Sequence, residues 1–275
     1  MTPTVSLVGC GTIGQTVAEA FADGTIGADL ASVYDRNPEK RRAAVAAFTT
    51  AERPTIVDDG AALFDGVGLI VEAAGQGAVA EMAVPALEAG CDVLLSSVGA
   101  LADPDLRDRV VRTAEREGRV VHVPSGAIAG LDAVRTAALT GDLESVSLIT
   151  TKPPAGLTGA PYLVENNVDL DGLESAETVF EGAATEAATA FPSNVNVAMA
   201  LSLAGIGPDE THVRIVADPD EANNVHHIEA TGGMGEIETT VRNVPSPTNP
   251  KTSYLAAISV IERLRRMNAT VRVGT

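Results

Sequence analysis

A glycine-rich turn near the N-terminus is the first segment whose residue types and spacing are suited to chemistry. It reads Gly9-Cys10-Gly11-Thr12-Ile13-Gly14, follows an apolar run and precedes residues with helical apolar spacing. In this pattern Gly9 permits a tight turn, Gly11 lets the backbone approach a pyrophosphate, and Gly14 allows close packing of helix against strand. The positive end of the following helix attracts phosphate groups. The segment therefore predicts a dinucleotide-binding site.

An acidic residue follows this turn at the distance expected of a ribose ligand. Asp35 lies 21 positions after Gly14, directly after a second predicted strand, Leu30–Tyr34. A carboxylate at this place accepts hydrogen bonds from ribose hydroxyls and repels a 2′-phosphate, which favours NAD over NADP. The adjacent Arg36 keeps NADP open as an alternative, because an arginine can stack on adenine or bind a phosphate.

Polar side chains in apolar or glycine-rich surroundings mark the second half of the chain. Asn194 and Asn196 lie within segment 191–198, and His226 and His227 are adjacent. Histidine titrates at about pH 6.5 and therefore suits proton transfer. Because neighbours on a strand face opposite sides, one of the two histidines can face a cleft while the other faces away. These residues alone do not decide which one does.

Alternating strands and helices must position the glycine turn. Strands are predicted at 4–8, 30–34, 69–73, 93–95 and 120–123, with helices at 13–21, 79–89 and 105–117. This alternation predicts an α/β fold with a Rossmann-type parallel sheet covered on both faces. Ligands of such sheets bind beyond the carboxyl ends of the strands. The residues expected near the cofactor on this ground are Gly75, Gln76, Ser97 and Gly99.

The second half changes pattern. Segments 211–217, 226–231 and 236–241 alternate polar and apolar residues, which predicts an α+β domain with a largely antiparallel open sheet. We expect an NAD(P)-binding Rossmann domain at 1–123, a substrate-binding and catalytic domain at 124–250, and a C-terminal helix within 251–275 that packs back on the first domain.

Six short motifs together resemble the L-aspartate dehydrogenase family, and they are spread over nearly the whole chain. They are GCGTIG at 9–14, SSVGAL at 96–101, PSGAIAGLD at 124–132, TTKPPAGL at 150–157, FPSNVNVA at 191–198 and NVH at 224–226. The first is common among nucleotide binders, whereas the third and fifth together are far more specific. The resemblance implies reversible, NAD(P)-dependent conversion of L-aspartate to iminoaspartate or oxaloacetate and ammonia. It also implies a homodimer, with dimer contacts in the second domain, and a product that can feed NAD biosynthesis.

The resemblance also implies roles for particular residues. It makes His226 the catalytic residue, in contact with the substrate, and the Asn-x-His spacing favours His226 over His227. We expect this histidine to activate the water that attacks the imine, or to accept a proton during imine formation. Ala127 and Asn196, with Asn194 as second choice, are expected to touch the cofactor near the nicotinamide.

The implied substrate carries two carboxylates, so a cation should lie near it. Lys152, which directly follows a strand predicted at 146–151, is the candidate, and Ser97 and Asn194 are expected to supply further hydrogen bonds to the substrate. The full predicted cofactor set is Gly9, Gly11, Thr12, Ile13, Gly14, Asp35, Arg36, Gly75, Ala127 and Asn196. We expect no metal ligands.

Three other functions are compatible with the glycine turn. One is a different small amino-acid or hydroxy-acid dehydrogenase of the same two-domain build, and another is a catalytically silent NAD-binding regulator. Sugar oxidoreductases of similar build commonly carry Glu-Lys-Pro after the fifth strand. This chain has Ser97-Val98-Gly99 there, which argues against the sugar enzymes.

Composition excludes further classes of protein. The 275 residues carry a net charge of −18, with 37 acidic against 19 basic side chains, so nucleic acid is a poor partner. An acidic chain with only three lysines suits a high-salt cytoplasm, where ions screen self-repulsion. Two cysteines exclude a disulfide framework, and no apolar run reaches the roughly 20 residues of a membrane span. We therefore expect a cytoplasmic, salt-adapted enzyme.

Overall fold

The chain divides into two compact units. The computed structural model describes residues 3–192, 195–246 and 249–274. The first unit combines Met1–Pro124 with Ala256–Arg272, and the second comprises Ser125–Leu255 with Val273–Thr275.

The first unit is built on a parallel sheet. Its strands are β1 (Val5–Val8), β2 (Leu30–Tyr34), β3 (Thr55–Ile56), β4 (Leu69–Glu72), β5 (Asp92–Leu95) and β6 (Val121–His122). Its first four helices are α1 (Thr12–Ala22), α2 (Pro38–Ala44), α3 (Gln76–Glu88) and α4 (Pro104–Glu117). The six strands lie in the order β3-β2-β1-β4-β5-β6, and every neighbouring pair is parallel. The predicted Rossmann-type sheet is confirmed.

Burial explains why the middle strands of this sheet have apolar sequences. All residues of β1 and β4 are buried, so neither strand can alternate between polar and apolar side chains. Two polar residues are exceptions, and both have partners: the Ser6 and Ser32 hydroxyls are 2.8 Å apart, and Glu72 accepts backbone hydrogen bonds. Because β1 is parallel to both β2 and β4, the carboxyl ends of these three strands lie at one edge of the sheet.

The second unit is built on a mixed sheet. Its main strands are β7 (Leu143–Lys152), β8 (Glu177–Ala183), β9 (His212–Ala217), β10 (Asn224–Gly232) and β11 (Gly235–Asn243), and a small separate sheet pairs β12 (Pro245–Ser246) with β13 (Asn249–Ser253). The main order is β11-β10-β7-β9-β8. The pairs β10–β11, β10–β7 and β8–β9 are antiparallel, and β7–β9 is parallel. The prediction of a largely antiparallel sheet is confirmed, with one parallel pair that was not foreseen.

Helices of the second unit include α5 (Leu131–Ala138), α6 (Pro161–Glu165), α7 (Ala184–Ala190) and α8 (Val195–Ala204). The core of this unit contains Val134 of α5, Leu148 of β7, Leu201 of α8 and Ile228 of β10. Buried residues of β7 alternate with less buried ones along the strand, so the sheet has one core face. Strand β8 and helices α6, α7 and α8 were not predicted. Because α8 is buried nearly all round, it has no amphipathic stripe to recognise.

Helix α9 (Tyr254–Asn268) supplies the first unit with part of its core. Val260, Ile261 and Leu264 are buried in the same apolar cluster as Val17 and Phe21 of α1. The nucleotide-binding unit is therefore assembled from both ends of the chain.

Candidate active site

Two glycines of the turn after β1 are required by the protein's own packing. Gly9 has a φ of +91°, and a Cβ there would lie 2.5 Å from backbone atoms of Ala73 and Ala74. A Cβ on Gly14 would overlap the carbonyl oxygen of Gly9. A side chain at either position would push apart the turn, the loop after β4 and helix α1.

Gly11 differs, because a Cβ there would meet nothing within 4 Å and its φ of −77° is ordinary. The open space lies at the N-terminus of α1, which begins with Thr12 and Ile13 and has no acidic side chain in its first turn. First-turn amides lack acceptors within the helix and carry the positive end of the helix dipole. The backbone here fits a dinucleotide pyrophosphate that approaches closely at Gly11.

Asp35 holds the glycine turn in place. Its Oδ2 accepts a hydrogen bond from the Cys10 N–H at 2.8 Å, and its Oδ1 accepts one from the Asn37 N–H at 2.8 Å. Each carboxylate oxygen has a second lone pair, so both can still accept from ribose hydroxyls. The predicted ribose ligand thus lies against the turn that would carry the pyrophosphate.

Arg36 pairs with an acid on α3. Its Nη2 lies 2.8 and 2.9 Å from the two carboxylate oxygens of Glu81, and both side chains are exposed. The sequence predicted Arg36 as a cofactor ligand but gave no indication of this partner.

A buried acid at the end of β4, Glu72, was not predicted from the sequence. Its Oε1 accepts hydrogen bonds from the N–H groups of Ala74 (2.7 Å) and Gly75 (2.8 Å) and from the Ser97 hydroxyl (2.9 Å). Its Oε2 accepts one from the Ser97 N–H at 3.0 Å. Burial raises the pKa of Glu72, and the hydrogen bonds from Gly75, Ser97 and Ala74 oppose that rise. The signal in the sequence was a lone charged residue ending an otherwise apolar strand.

This carboxylate joins the loops after β4 and β5. Gly75 begins the approach to α3 with a φ of +126°, which favours glycine. Ser97, predicted to bind substrate, is buried and donates its hydroxyl to Glu72 within the first unit. The structure therefore gives Ser97 a role in shaping this edge, and its contact with substrate stays a prediction.

His226 is the buried histidine of the second unit. It lies opposite Thr150 across the β10–β7 pair, and its Nδ1 is 3.0 Å from the Thr150 hydroxyl. Which of the two groups donates depends on the imidazole tautomer. His226 is 4% exposed, and burial, with a smaller contribution from the charge of Lys152, lowers its pKa to about 3. The imidazole is therefore neutral at physiological pH.

Lys152 ends strand β7 on the same face as Thr150. The two residues are two positions apart, and side chains at that spacing share one side of a strand. Lys152 is 6% exposed, and burial lowers its pKa to about 8. Because Thr150 lies opposite His226 in the strand pair, Lys152 and His226 lie on the same face of neighbouring strands. The predicted substrate cation and the predicted catalytic histidine are thus brought together.

His227 faces the other side of the sheet. Its Nδ1 is 2.7 Å from the Thr240 hydroxyl, and its Nε2 is 2.9 Å from Glu229 Oε1, in a partly exposed cluster. The two adjacent histidines therefore lie on opposite faces of the sheet: His226 is on the buried face, and His227 is on the partly exposed face.

The predicted nicotinamide contacts are less closely defined. Ala127 is buried, and its carbonyl oxygen accepts a hydrogen bond from the Asn243 side chain at 2.9 Å. Asn243, which the sequence did not single out, also donates to the carbonyl of Asn224 at 3.3 Å. Asn196 is exposed on α8, and Asn194 lies outside the described residues. The cofactor contacts of Ala127 and Asn196 stay predictions.

The neighbourhood of Thr150 is otherwise apolar. A small cavity in the second unit is lined by Thr150, Ala187, Phe191, Val195, Ala198, Val213 and Ile215. Phe191 also packs against Phe180 with ring centroids 5.6 Å apart. The Thr150 hydroxyl that contacts His226 therefore lies beside mostly apolar side chains, which offer water few hydrogen-bond partners.

The described part of the chain has neither a metal-binding cluster nor a membrane-spanning helix. Within 3–192, 195–246 and 249–274, no group of three or more histidine, cysteine or acidic side chains is placed to hold a metal ion. Among the helices of those ranges, none combines the length and the apolar character needed to cross a bilayer. Cys10 and Cys91 are buried free thiols, and burial together with Asp35 raises the pKa of Cys10 to about 12.

Fold and site define the class of this protein as an NAD(P)-dependent dehydrogenase with a nucleotide-binding unit and a second α+β unit. Residues 9–124 match the profile described as homoserine dehydrogenase, NAD binding domain. Residues 132–267 match the profile described as aspartate dehydrogenase, C-terminal.

Relatives named L-aspartate dehydrogenase match the chain over almost its full length. L-aspartate dehydrogenase of Methanosarcina acetivorans is 44% identical over 271 residues, which span 98% of this chain and 99% of that protein. L-aspartate dehydrogenase of Nitrosopumilus maritimus is 39% identical over 277 residues, with 98% and 99% covered. The chain belongs to the L-aspartate dehydrogenase family, and the resemblance carried by the six motifs is confirmed.

Comparison with solved structures agrees with this family assignment. The crystal structure of aspartate dehydrogenase from Thermotoga maritima matches with a TM-score of 0.75 and 26% identity over 100% of both chains. Myo-inositol dehydrogenase from Lactobacillus casei, in complex with NAD(H) and myo-inositol, matches with a TM-score of 0.61 and 13% identity, covering 100% of this chain and 89% of that one. The second likeness shows the fold alone.

Proposed function

We propose that this protein is an L-aspartate dehydrogenase. It converts L-aspartate and water to oxaloacetate and ammonia through iminoaspartate, with reduction of NAD(P), and it also runs in reverse. The observation that carries the proposal is the buried pair His226 and Lys152 on adjacent strands of the second unit. The first unit of the same chain has the fold and glycine turn of an NAD-binding domain.

The cofactor is held by the first unit. Gly11 and the amides that begin α1 bind the pyrophosphate, and Asp35 binds the adenosine ribose. When bound, the nicotinamide supplies the hydride acceptor or donor. Glu72 keeps the loops after β4 and β5 in the shape that this binding needs.

Lys152 binds a carboxylate of the substrate. Burial removes the Lys152 ammonium from water, which disfavours its charged form and lowers its pKa to about 8. A dicarboxylate would restore the stability of the charged form and raise that pKa again. This explains how a protein with a net charge of −18 recognises a dianion.

His226 accepts a proton from the water molecule that adds to the imine. Thr150 fixes the imidazole orientation through Nδ1, which leaves Nε2 for substrate or water. With a pKa of about 3 the ring is neutral and can accept a proton, although weakly. A nearby substrate carboxylate raises that pKa towards neutrality and makes the ring a better base as soon as substrate is bound.

The proposal includes a homodimer in the cytoplasm, with NAD preferred over NADP. The decisive experiment follows NADH oxidation with oxaloacetate and ammonia at high salt, beside pyruvate, 2-oxoglutarate and a panel of sugars. We expect turnover with oxaloacetate to exceed all others. Absence of oxaloacetate turnover would overturn the proposal.

The variant His226→Ala separates catalysis from binding. We expect it to lose about two to four orders of magnitude in turnover, as is usual for a general acid or base, and to retain NADH binding. Undiminished turnover would remove His226 from the mechanism. The matched control is His227→Ala, which changes the neighbouring histidine on the opposite face and should leave turnover nearly unchanged.

A further inference from the structure

An ion pair crosses the edge of the first unit at which the adenosine ribose binds. Asp35 and Arg36 directly follow β2, whereas Glu81 lies in the second turn of α3, which follows β4. Strand β1, with the glycine turn at its end, lies between β2 and β4. The Arg36 guanidinium therefore reaches from one side of the glycine turn to the other, where its Nη2 contacts both Glu81 oxygens at 2.8 and 2.9 Å.

The neighbouring charges favour a ribose without a phosphate. Asp35 is fixed against the turn by the Cys10 and Asn37 amides, so its negative charge cannot move away from the ribose. A 2′-phosphate adds up to two further negative charges and needs a cation beside it. Arg36 is adjacent to Asp35, and Glu81 holds its guanidinium.

The other cations near the turn are less suitable. Arg41 is buried and donates to the Val57 carbonyl and to Asp58, so it is already paired inside the unit. Lys40 is exposed on α2 and is a flexible point charge without the fork geometry of arginine. Arg36 is therefore the group best able to bind a 2′-phosphate.

We propose that Glu81 is a specificity-determining residue, which holds Arg36 in an ion pair and thereby keeps the site selective for NAD over NADP. The inference rests on the proposed function for its dinucleotide, but it concerns binding in the absence of substrate. Asp35, Arg36 and Glu81 together carry one net negative charge. The change Glu81→Gln makes the trio neutral and releases the guanidinium towards the ribose.

Equilibrium binding of NADH and NADPH tests this, measured by nucleotide fluorescence on the full-length protein without substrate. We expect the parent protein to bind NADH more tightly than NADPH. In Glu81→Gln the Kd for NADPH should fall about threefold to fivefold, at the upper end of the range of exposed charge pairs, while the Kd for NADH stays within about twofold. The gain should shrink between about 0.1 M and about 1 M salt, because exposed charges are screened.

Two further variants isolate the pair. Glu39→Gln removes an exposed negative charge on α2, close to Asp35 in sequence, without touching Arg36, and should leave the preference unchanged. Adding Arg36→Gln to Glu81→Gln should abolish the gain in NADPH affinity. Glu81 is exposed, so equal melting temperatures should confirm that each variant is folded.

The outcomes are decisive in each direction. An unchanged NADPH to NADH ratio in Glu81→Gln, an equal shift in Glu39→Gln, or tighter NADPH binding by the parent would each overturn the proposal. So would failure of the parent to bind either nucleotide. If NADH binds and the ratio shifts as expected, but oxaloacetate is not reduced, then the proposed function fails and the specificity role of Glu81 stands.

Discussion

Glu72→Gln is the substitution that tests most directly what holds together the loops after β4 and β5, at the edge of the sheet where the cofactor is expected to bind. Glutamine has nearly the same shape as glutamate, but one acceptor oxygen becomes an N–H donor. Glu72 faces only donors: the amides of Ala74, Gly75 and Ser97, and the Ser97 hydroxyl. If the amide oxygen takes the Oε1 position, the new NH2 group points at the Ser97 N–H, 3.0 Å away in the parent. Two buried donors then face each other without an acceptor.

The magnitude follows from these contacts. Each buried donor without a partner costs about 1–3 kcal/mol, and the remaining hydrogen bonds lose the strength that a charged acceptor gives. Removal of the buried charge offsets part of this loss of stability, because burial disfavours the ionised form. We expect a net loss of about 2–4 kcal/mol in the free energy of unfolding. At roughly 2–4 °C per kcal/mol for domains of about 150–250 residues, the melting temperature should fall by roughly 4–16 °C.

Thermal unfolding of the full-length protein measures this change, with Glu88→Gln as the control. Glu88 is the last residue of α3, the helix that follows Glu72, and it makes an exposed ion pair with Arg116, so its substitution should change stability by less than about 0.5 kcal/mol. NADH affinity should also fall in Glu72→Gln, because the loop it shapes abuts Gly9. A melting temperature equal to that of the Glu88 variant would refute the idea that this carboxylate holds the edge together.

Three other measurements test the remaining parts of the structure. Lys152→Gln should raise the KM for oxaloacetate by about tenfold to a hundredfold, the loss of one buried charged hydrogen bond, and leave NADH binding intact; an unchanged KM would exclude it as the carboxylate ligand. Burial lowers the pKa of His122 to about 4 and of His226 to about 3, so the unfolded chain binds more protons below about pH 6.5, and acidification from neutral pH should lower the melting temperature. His122→Gln should weaken that dependence, and an identical pH profile in the variant would contradict it. Added KCl should raise the melting temperature by screening the excess of acidic side chains, and a melting temperature independent of salt would count against salt adaptation.

The features whose place in the fold could be predicted from the sequence are those encoded over short spans. The glycine turn, helix α1 and Asp35 lie within one βαβ unit, so the geometry of that unit fixes their spacing along the sequence. The Asn-x-His motif favoured His226 over His227 as the buried histidine, and the period of two along β10 explains why His227 faces away. These predictions needed no knowledge of distant contacts.

The parts that were missed depend on contacts between distant segments. Glu72 has meaning only because β5 returns beside β4 and brings Ser97 to it. The pairing of Arg36 with Glu81 likewise joins residues 45 positions apart. The parallel β7–β9 pair requires a long crossover, which no local pattern encodes. Helix α8 escaped prediction because burial on all sides removes the amphipathic period.

The position of α9 in the nucleotide-binding unit also has a consequence for protein synthesis. Val260, Ile261 and Leu264 fill the apolar cluster around Val17 and Phe21, yet the ribosome adds them more than 200 residues after α1. Domains usually fold in order as the chain emerges. Here part of the core of the first unit stays exposed until α9 has been synthesised. A fragment that ends at Pro124 should therefore aggregate, and co-expression of a peptide spanning Ala256–Arg272 should restore its solubility.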